Sequence, residues 1–342
     1  MTENHIYYAS SPYHHLLSLS IAANQSERAT THLISSPNFT NGSHFAEALR
    51  KWESSPFNKI HLFETPHPVS PPQVWFLQMR QVMKARQISK SVSPTRVYVA
   101  KDVEAAPQAL MHYSPEATKI SIEDGTAAYS TRVSNHPKKW KRPIRKVFYG
   151  YWYTKPNLIG GSKFIDRFAA TFPDKLRPEL DGLPTEQISS EILRGMDTNW
   201  MHPFFSSCNF SCGDCEQLDT VVLAAHSSVA NNHPEYKEAL VKQIKDASNE
   251  GVVGIKYHPR DHHPGYLDLD GVNATTVPSS VPAEIIYLQS PRLTTVIGTI
   301  STALMTARWL NEDIAAISLS KTAGIGNERV IEVMESVGID VQ

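Results

Sequence analysis

Glu123 and Asp124 stand side by side before Gly125 in SIEDGTAAYS (121–130), directly after the apolar run ATKISI. Successive side chains of a strand point to opposite faces, so the two carboxylates are not read as one paired site. One should face the cleft, where a carboxylate near a hydroxyl acceptor can serve as general base, for which its pKa must lie near working pH. The other should brace the loop. The plain structural alternative is a strand ending in an Asx-type turn before glycine. Three further pieces put polar residues where a strand ends: KYHPRD (256–261), VPAEII (281–286) and GTISTAL (298–304). His258 follows a buried-looking strand that Pro259 stops, and Lys256, two residues earlier, shares its face. Such a cationic pair suits a phosphate leaving group, because positive charge aimed at developing negative charge lowers the barrier. His-Pro recurs at 135–137, 201–203, 232–234 and 262–264, so strand context rather than the dipeptide singles out His258. Gly298, Thr299, Ser301 and Thr302 lie between a strand and a helix, where backbone N–H groups and hydroxyls can bind phosphate or simply cap the helix. Glu284 either accepts hydrogen bonds from a ribose diol or is a first-turn glutamate near a helix dipole.

Two other clusters compete for attention. Cys208, Cys212 and Cys215 have C-x₃-C-x₂-C spacing, which resembles the iron–sulfur motif of radical SAM enzymes. Asp214 occupies the place where those enzymes carry an aromatic residue. A zinc site with a neighbouring histidine is the other metal reading, and a linker with unpaired thiols is the reading preferred. The stretch KKWKRPIRKVFYGYWY (138–153) places basic residues ahead of aromatics. It could form an anionic-acceptor groove or a contact with an anionic membrane surface, or a solvated charged face beside a packed helix.

The elements that must hold these groups follow from the totals. A chain of 342 residues predicts two domains. Its 41% hydrophobic and 20% charged residues are globular values rather than those of a disordered chain. A formal net charge of −1 gives no global field toward nucleic acid, and none is expected as a partner. The N-terminal segment lacks the basic and apolar regions of a signal peptide, and no apolar run reaches the ~18 residues of a spanning helix. Three cysteines make no disulfide framework. The expectation is a cytoplasmic protein, at most peripheral to the inner membrane. HIYYAS, THLISS, KIHLFET, TRVYVA and KISIE alternate with helix-length segments near 12–25, 43–53, 73–90 and 103–111. The pattern breaks from about 127 to 216, then resumes through DTVVLAAH, a helix near 234–249, GVVGIKYHP, AEIIYLQ, LTTVIG, a helix from about 300, DIAAISL and a last helix near 327–337. Alternation of this kind predicts an α/β fold with parallel sheets. The boundaries drawn are 1–155 for a first Rossmann-like domain, 156–216 for a linker or insert and 217–342 for a second, with a cleft expected between the two domains.

Taken in order, EDG, KYHP and IST resemble the acidic-acidic-Gly, His-Pro and serine/threonine motifs of bacterial sialyltransferases of the GT-B fold, in particular the family that includes the capsular polysialyltransferases. The resemblance runs from about residue 5 to about 310. It implies that Glu123 deprotonates the acceptor hydroxyl with Asp124 in support, and that His258, beside Lys256, contacts the donor phosphate. Glu284 would hold the ribose, Ser301 and Thr302 the phosphate, with Gly298 at the donor site. The pair is Ser-Thr rather than two serines, and the chain is shorter than many relatives, which leaves open whether the product is a polymer. The implied reaction is inverting, metal-independent transfer of sialic acid or a related nonulosonic acid from a CMP donor, with no further cofactor, in capsule or lipooligosaccharide synthesis. The acceptor would be a glycan, anionic or lipid-linked. A CMP-Kdo transferase, a nucleotide-sugar epimerase and an inactive glycan-binding module are the alternatives, and intact Glu123 and His258 weigh against the last.

Overall fold

The computed structural model describes residues 3–25, 28–38, 41–64, 71–130, 141–258, 261 and 265–342. Pro259, Arg260, the His-Pro pairs at 136–137 and 263–264, and residues 138–140 of the basic stretch lie outside the described residues. The chain forms two compact units, Met1–Ile192 and Leu193–Gln342.

Among the described residues, the first unit holds a parallel sheet of seven strands: β1 (Glu3–Ala9), β2 (Ala29–Ser35), β3 (Lys59–Leu62), β4 (Arg96–Val99), β5 (Thr118–Ile122), β6 (Arg167–Ala170) and β7 (Thr185–Gln187). Their spatial order is β3-β2-β1-β4-β5-β6-β7. Parallel sheets are covered on both faces, so their central strands read as continuous apolar runs rather than alternating ones. Accordingly Ile6, Tyr7, Tyr8 and Ala9 of β1 are all buried, as are Val97, Tyr98 and Val99 of β4. Tyr7 and Tyr98 pair in register and their rings stack at 4.7 Å. The strand order reverses between β1 and β4, which opens a crevice at the carboxyl edge of the sheet.

The second unit repeats the plan with β8 (Thr220–Leu223), β9 (Val253–Lys256), β10 (Ala274–Val277), β11 (Thr295–Gly298), β12 (Ala315–Ser318) and β13 (Ile339–Val341), in the order β10-β9-β8-β11-β12-β13. Its reversal falls between β8 and β11. Gly298 ends β11 at that point, and a Cβ there would lie 3.2 Å from Cβ of Leu223 on β8. The glycine therefore serves close approach of the two strands. AEIIYLQ is a helix, Ala283–Gln289. The region 156–192, which the sequence offers as linker, carries β6 and β7 and belongs to the first unit. Strands of three and four residues among prolines leave too little periodicity to be read in advance.

Candidate active site

In the first unit, β5 ends at Ile122 and delivers Glu123 and Asp124 to the carboxyl edge. The backbone N–H of Glu123 still donates to the Ala169 carbonyl of β6 at 3.0 Å, so the strand pleat persists and the two side chains part. Glu123 turns inward and is 1% exposed. Its carboxylate accepts hydrogen bonds from the hydroxyls of Tyr13 and Tyr129, from the Thr171 N–H at 2.9 Å and from the Thr171 hydroxyl at 3.0 Å. Four donors fill the lone-pair positions of a carboxylate. Burial pushes its pKa up, against the pull of Tyr129, Tyr13 and Thr171. Glu123 is therefore the inward member of the pair, held by partners from three segments of the first unit.

Asp124 is the outward member, with its side chain 25% exposed. Its Oδ1 meets Nε2 of the fully buried His14 at 2.7 Å, and the other ring nitrogen of His14 lies 3.3 Å from the Ser10 hydroxyl. Burial alone would raise the Asp124 carboxyl, but the hydrogen bond and attraction from His14, with Lys101, hold it below its ordinary value. Glu104 sits in the same neighbourhood, accepting from the Tyr8 hydroxyl at 3.1 Å, and burial raises its carboxyl against Lys101, Tyr8 and His14. Gly125 takes φ 56°, the left-handed region that glycine enters without strain, and starts the turn Gly125–Ala128. The buried Arg177 guanidinium donates to the carbonyls of Ala127 and Ile159 and so pins that turn.

In the second unit, Lys256 ends β9 and pairs in register with Leu223, whose Cβ faces Gly298. Lys256, Leu223 and Gly298 thus cross the carboxyl edge of one sheet. The Lys256 ammonium is buried and donates to the Ser279 carbonyl at 2.8 Å. Burial drives its pKa down to about 8, opposed by Glu284 and Cys208. Glu284, also buried, lies in the first turn of its helix, and burial raises its carboxyl against its own N–H and Lys256. His258 is half-buried, its ring edge-on to that of His226 at 5.5 Å. The Asp261 N–H donates to the His258 carbonyl at 2.9 Å. Asp261 in turn accepts from Ser227 N–H at 2.6 Å and Ser227 hydroxyl at 2.9 Å. Ser301 caps the helix Thr302–Leu310, accepting from Ala303 N–H at 3.1 Å, and Thr302 opens that helix.

Cys208 and Cys215 are buried and Cys212 half-buried, all three as free thiols. Burial pushes Cys215 up to about 12, with Cys212, Asp214 and Glu216 adding to it, and raises Cys212 as well. Among the described residues no group of three or more His, Cys, Asp and Glu is placed to hold a metal ion, and none of the described helices is long and apolar enough to cross a membrane.

The basic-aromatic stretch divides in two. Arg145, Lys146 and Lys155 line a cavity of about 510 Å³ with Tyr153, Thr154, Pro143 and Asn157. The Tyr153 hydroxyl donates to the Val103 carbonyl at 3.1 Å, one residue from Glu104. Val147 and Tyr151 instead face solvent, 83% and 82% exposed.

Two parallel sheets, each with the same order reversal beside its first strand, define a pair of Rossmann-like domains of the GT-B type. The structure is similar to the GT-B domain of a sialyltransferase from Photobacterium damselae, at 14% identity and a TM-score of 0.56 over 100% of this chain and 98% of that one. It is also similar to a UDP-GlcNAc 2-epimerase from Methanocaldococcus jannaschii (14%, 0.53, 98% and 92%) and to a UDP-glucosyltransferase from Polygonum tinctorium (9%, 0.52, 98% and 82%). At these identities the likeness shows the fold. Residues 5–320 match the alpha-2,8-polysialyltransferase (POLYST) family. The chain belongs to that family and is a sialyltransferase-type glycosyltransferase, taking a nucleotide-sugar donor and a glycan acceptor. No curated protein matches the sequence.

The four-donor cage couples Glu123 to the stability of the first unit. Glu123→Gln puts an amide NH₂ against hydroxyl and N–H donors and should cost about 1–3 kcal/mol, visible as a lower melting temperature. Asp124→Asn keeps an oxygen for His14 and should melt near wild type. Equal melting of the two variants would overturn this division of roles.

Lys256 gives a pH signature. Its folded value lies below the ordinary one, so the unfolded chain binds the extra proton and stability must rise with pH from about 8 toward the ordinary lysine value. Lys256→Met should remove that slope in unfolding experiments across the interval, and an unchanged slope would reassign it to another group.

Proposed function

We propose that the enzyme transfers sialic acid, or a related nonulosonic acid, from a CMP donor to a glycan hydroxyl in a single inverting displacement that needs no metal ion. The observation that carries the reading is the outward Asp124, ionised and held by His14 where β5 ends. Oδ2 of Asp124 takes the acceptor's hydroxyl proton as that oxygen bonds to the anomeric carbon. The carbon's bond to the phosphate oxygen breaks on the opposite side, and its electron pair leaves with CMP. One phosphate is a small charge to balance, and Lys256, His258 and the helix opened by Ser301 and Thr302 are suited to it. Glu284 accepts from the ribose.

The cations around Tyr153 support an anionic acceptor for the 510 Å³ cavity. Purified protein should release CMP from CMP-sialic acid in EDTA, faster with a sialylated oligosaccharide. Asp124→Asn should lower release by about 10²-fold or more, and Arg145→Glu or Lys155→Glu should raise the acceptor KM. Loss of turnover in EDTA would overturn metal independence. Absence of release, together with no rise in melting temperature on adding CMP, would overturn the donor.

We also infer a peripheral membrane contact. Val147, Phe148 and Tyr151 are exposed beside Lys146, and Phe148 packs at 5.5 Å on Trp75 of the neighbouring helix Pro71–Val92, which exposes Phe76 and Met83 with Arg80 and Lys84. Apolar side chains amid cations favour an anionic lipid surface. The protein should sediment with phosphatidylglycerol vesicles but not with phosphatidylcholine ones. A Val147→Glu, Tyr151→Glu double variant should stay in solution while turning over soluble acceptor normally; vesicle binding unchanged by it would remove this face.

A further inference from the structure

Strand order in the second sheet puts the loop after β8 between the two loops that the proposed reaction gives to the donor. β8 is flanked by β9, which leads to Lys256 and His258, and by β11, which leads to Ser301 and Thr302. An anion held by both flanking loops therefore lies across the middle one. That middle loop carries His226, whose ring stands edge-on to His258 with the centres 5.5 Å apart.

The ring is oriented by the helix it precedes. Nδ1 of His226 accepts the Ser228 backbone N–H at 3.2 Å, capping the helix Ser227–Asn232, and lies 2.9 Å from the Ser228 hydroxyl. A ring nitrogen that accepts from an N–H carries no hydrogen, so the hydrogen of this imidazole is on Nε2. Among the described residues nothing accepts it. The backbone on either side is fixed as well. Ala224 N–H donates to the Lys256 carbonyl at 3.0 Å, Ala225 N–H to the Tyr236 hydroxyl at 3.1 Å, and the Tyr266 hydroxyl to the Ala225 carbonyl at 2.5 Å. Asp261 holds Ser227 with its carboxylate and the His258 carbonyl with its N–H, so it stitches the loop of one histidine to that of the other. A half-buried donor set in so braced a loop loses little freedom when a ligand takes it.

We propose that His226 is a donor-binding residue whose Nε2–H donates to a phosphate oxygen of the nucleotide-sugar, beside His258. The inference rests on the reading that the donor phosphate lies at this edge of the second sheet. One nitrogen of the ring then serves the fold and the other serves the ligand. Substitutions that replace one function but not the other can tell them apart.

The test is binding of CMP to the purified protein by calorimetric titration, alongside melting temperatures, for wild type, His226→Asn, His226→Gln and His226→Ala. Asparagine is a strong helix cap but has no group in the place of Nε2, so His226→Asn should melt near wild type. Its dissociation constant for CMP should rise about 10-fold or more, the loss of a hydrogen bond to a charged group. His226→Gln caps less well but carries an NH₂ that reaches further, and it should bind CMP more tightly than His226→Ala. If His226→Asn does not fold, the His226→Gln and His226→Ala variants decide, and equal CMP affinity in those two would overturn the role. Wild-type CMP affinity in a folded His226→Asn would overturn it directly, leaving His226 as a cap alone. Failure of the wild-type protein to bind CMP would instead overturn the donor reading on which the inference rests.

Discussion

Two adjacent carboxylates at the end of a strand cannot share an environment: the pleat sends one into the protein. Everything at the carboxyl edge of the first sheet is arranged around the inward one. An ionised carboxyl taken from water without partners costs far more than a domain's net stability, so Glu123 must find donors, and it draws them from three places. Tyr13 comes from the helix after β1, Tyr129 from the turn after β5, and Thr171 from the end of β6. Satisfying one buried group thereby ties together segments 110 and 48 residues away from it. The outward Asp124 inherits a rigid backbone from this arrangement, and Arg177 fixes the turn that follows it.

The same helix that supplies Tyr13 to Glu123 supplies His14 to Asp124. Neighbouring positions on a helix point about a quarter-turn or more apart, so one element reaches a buried acid with a hydroxyl and an outward acid with an imidazole. The consequences for ionisation differ. Glu123 is raised by burial although four donors oppose it, while the hydrogen bond and attraction from His14 outweigh burial at Asp124. The chemically identical groups of an acidic pair are thus separated by their partners, which is how proteins assign different tasks to neighbouring carboxylates.

Much of this was legible in the sequence. Continuous apolar runs such as HIYYAS and TRVYVA mark strands buried on both faces, and the EDG, KYHP and IST order points to the family that the chain matches over residues 5–320. The position of the acidic pair at a strand end was readable because ATKISI stops there. Which carboxylate turns inward was not, because that depends on whether Tyr13 and Thr171 lie above or below the sheet. His14 sits in SSPYHH, where Ser11 and Pro12 signal only a helix start, and its partner lies 110 residues away. Strands β6 and β7 escaped because RFAA and TEQ lie among prolines and charged residues, without the longer apolar run that marks β1 or β4. AEIIYLQ buries six of its seven residues, Glu284 and Gln289 among them, and a helix buried on nearly all sides shows no amphipathic period.

The two units handle charge in opposite ways, and that asymmetry has a chemical sense. Asp124 is held toward its ionised form by partners already in the protein. Lys256 is different: burial disfavours its charge, and the neighbouring buried Glu284 offsets that only in part. An anion brought beside Lys256 would supply the missing compensation and raise its proton affinity. Donor binding and lysine protonation would then be linked, each favouring the other. A buried lysine whose charge is only partly balanced would favour an anion over a neutral group more sharply than a solvated surface lysine, whose charge water already balances.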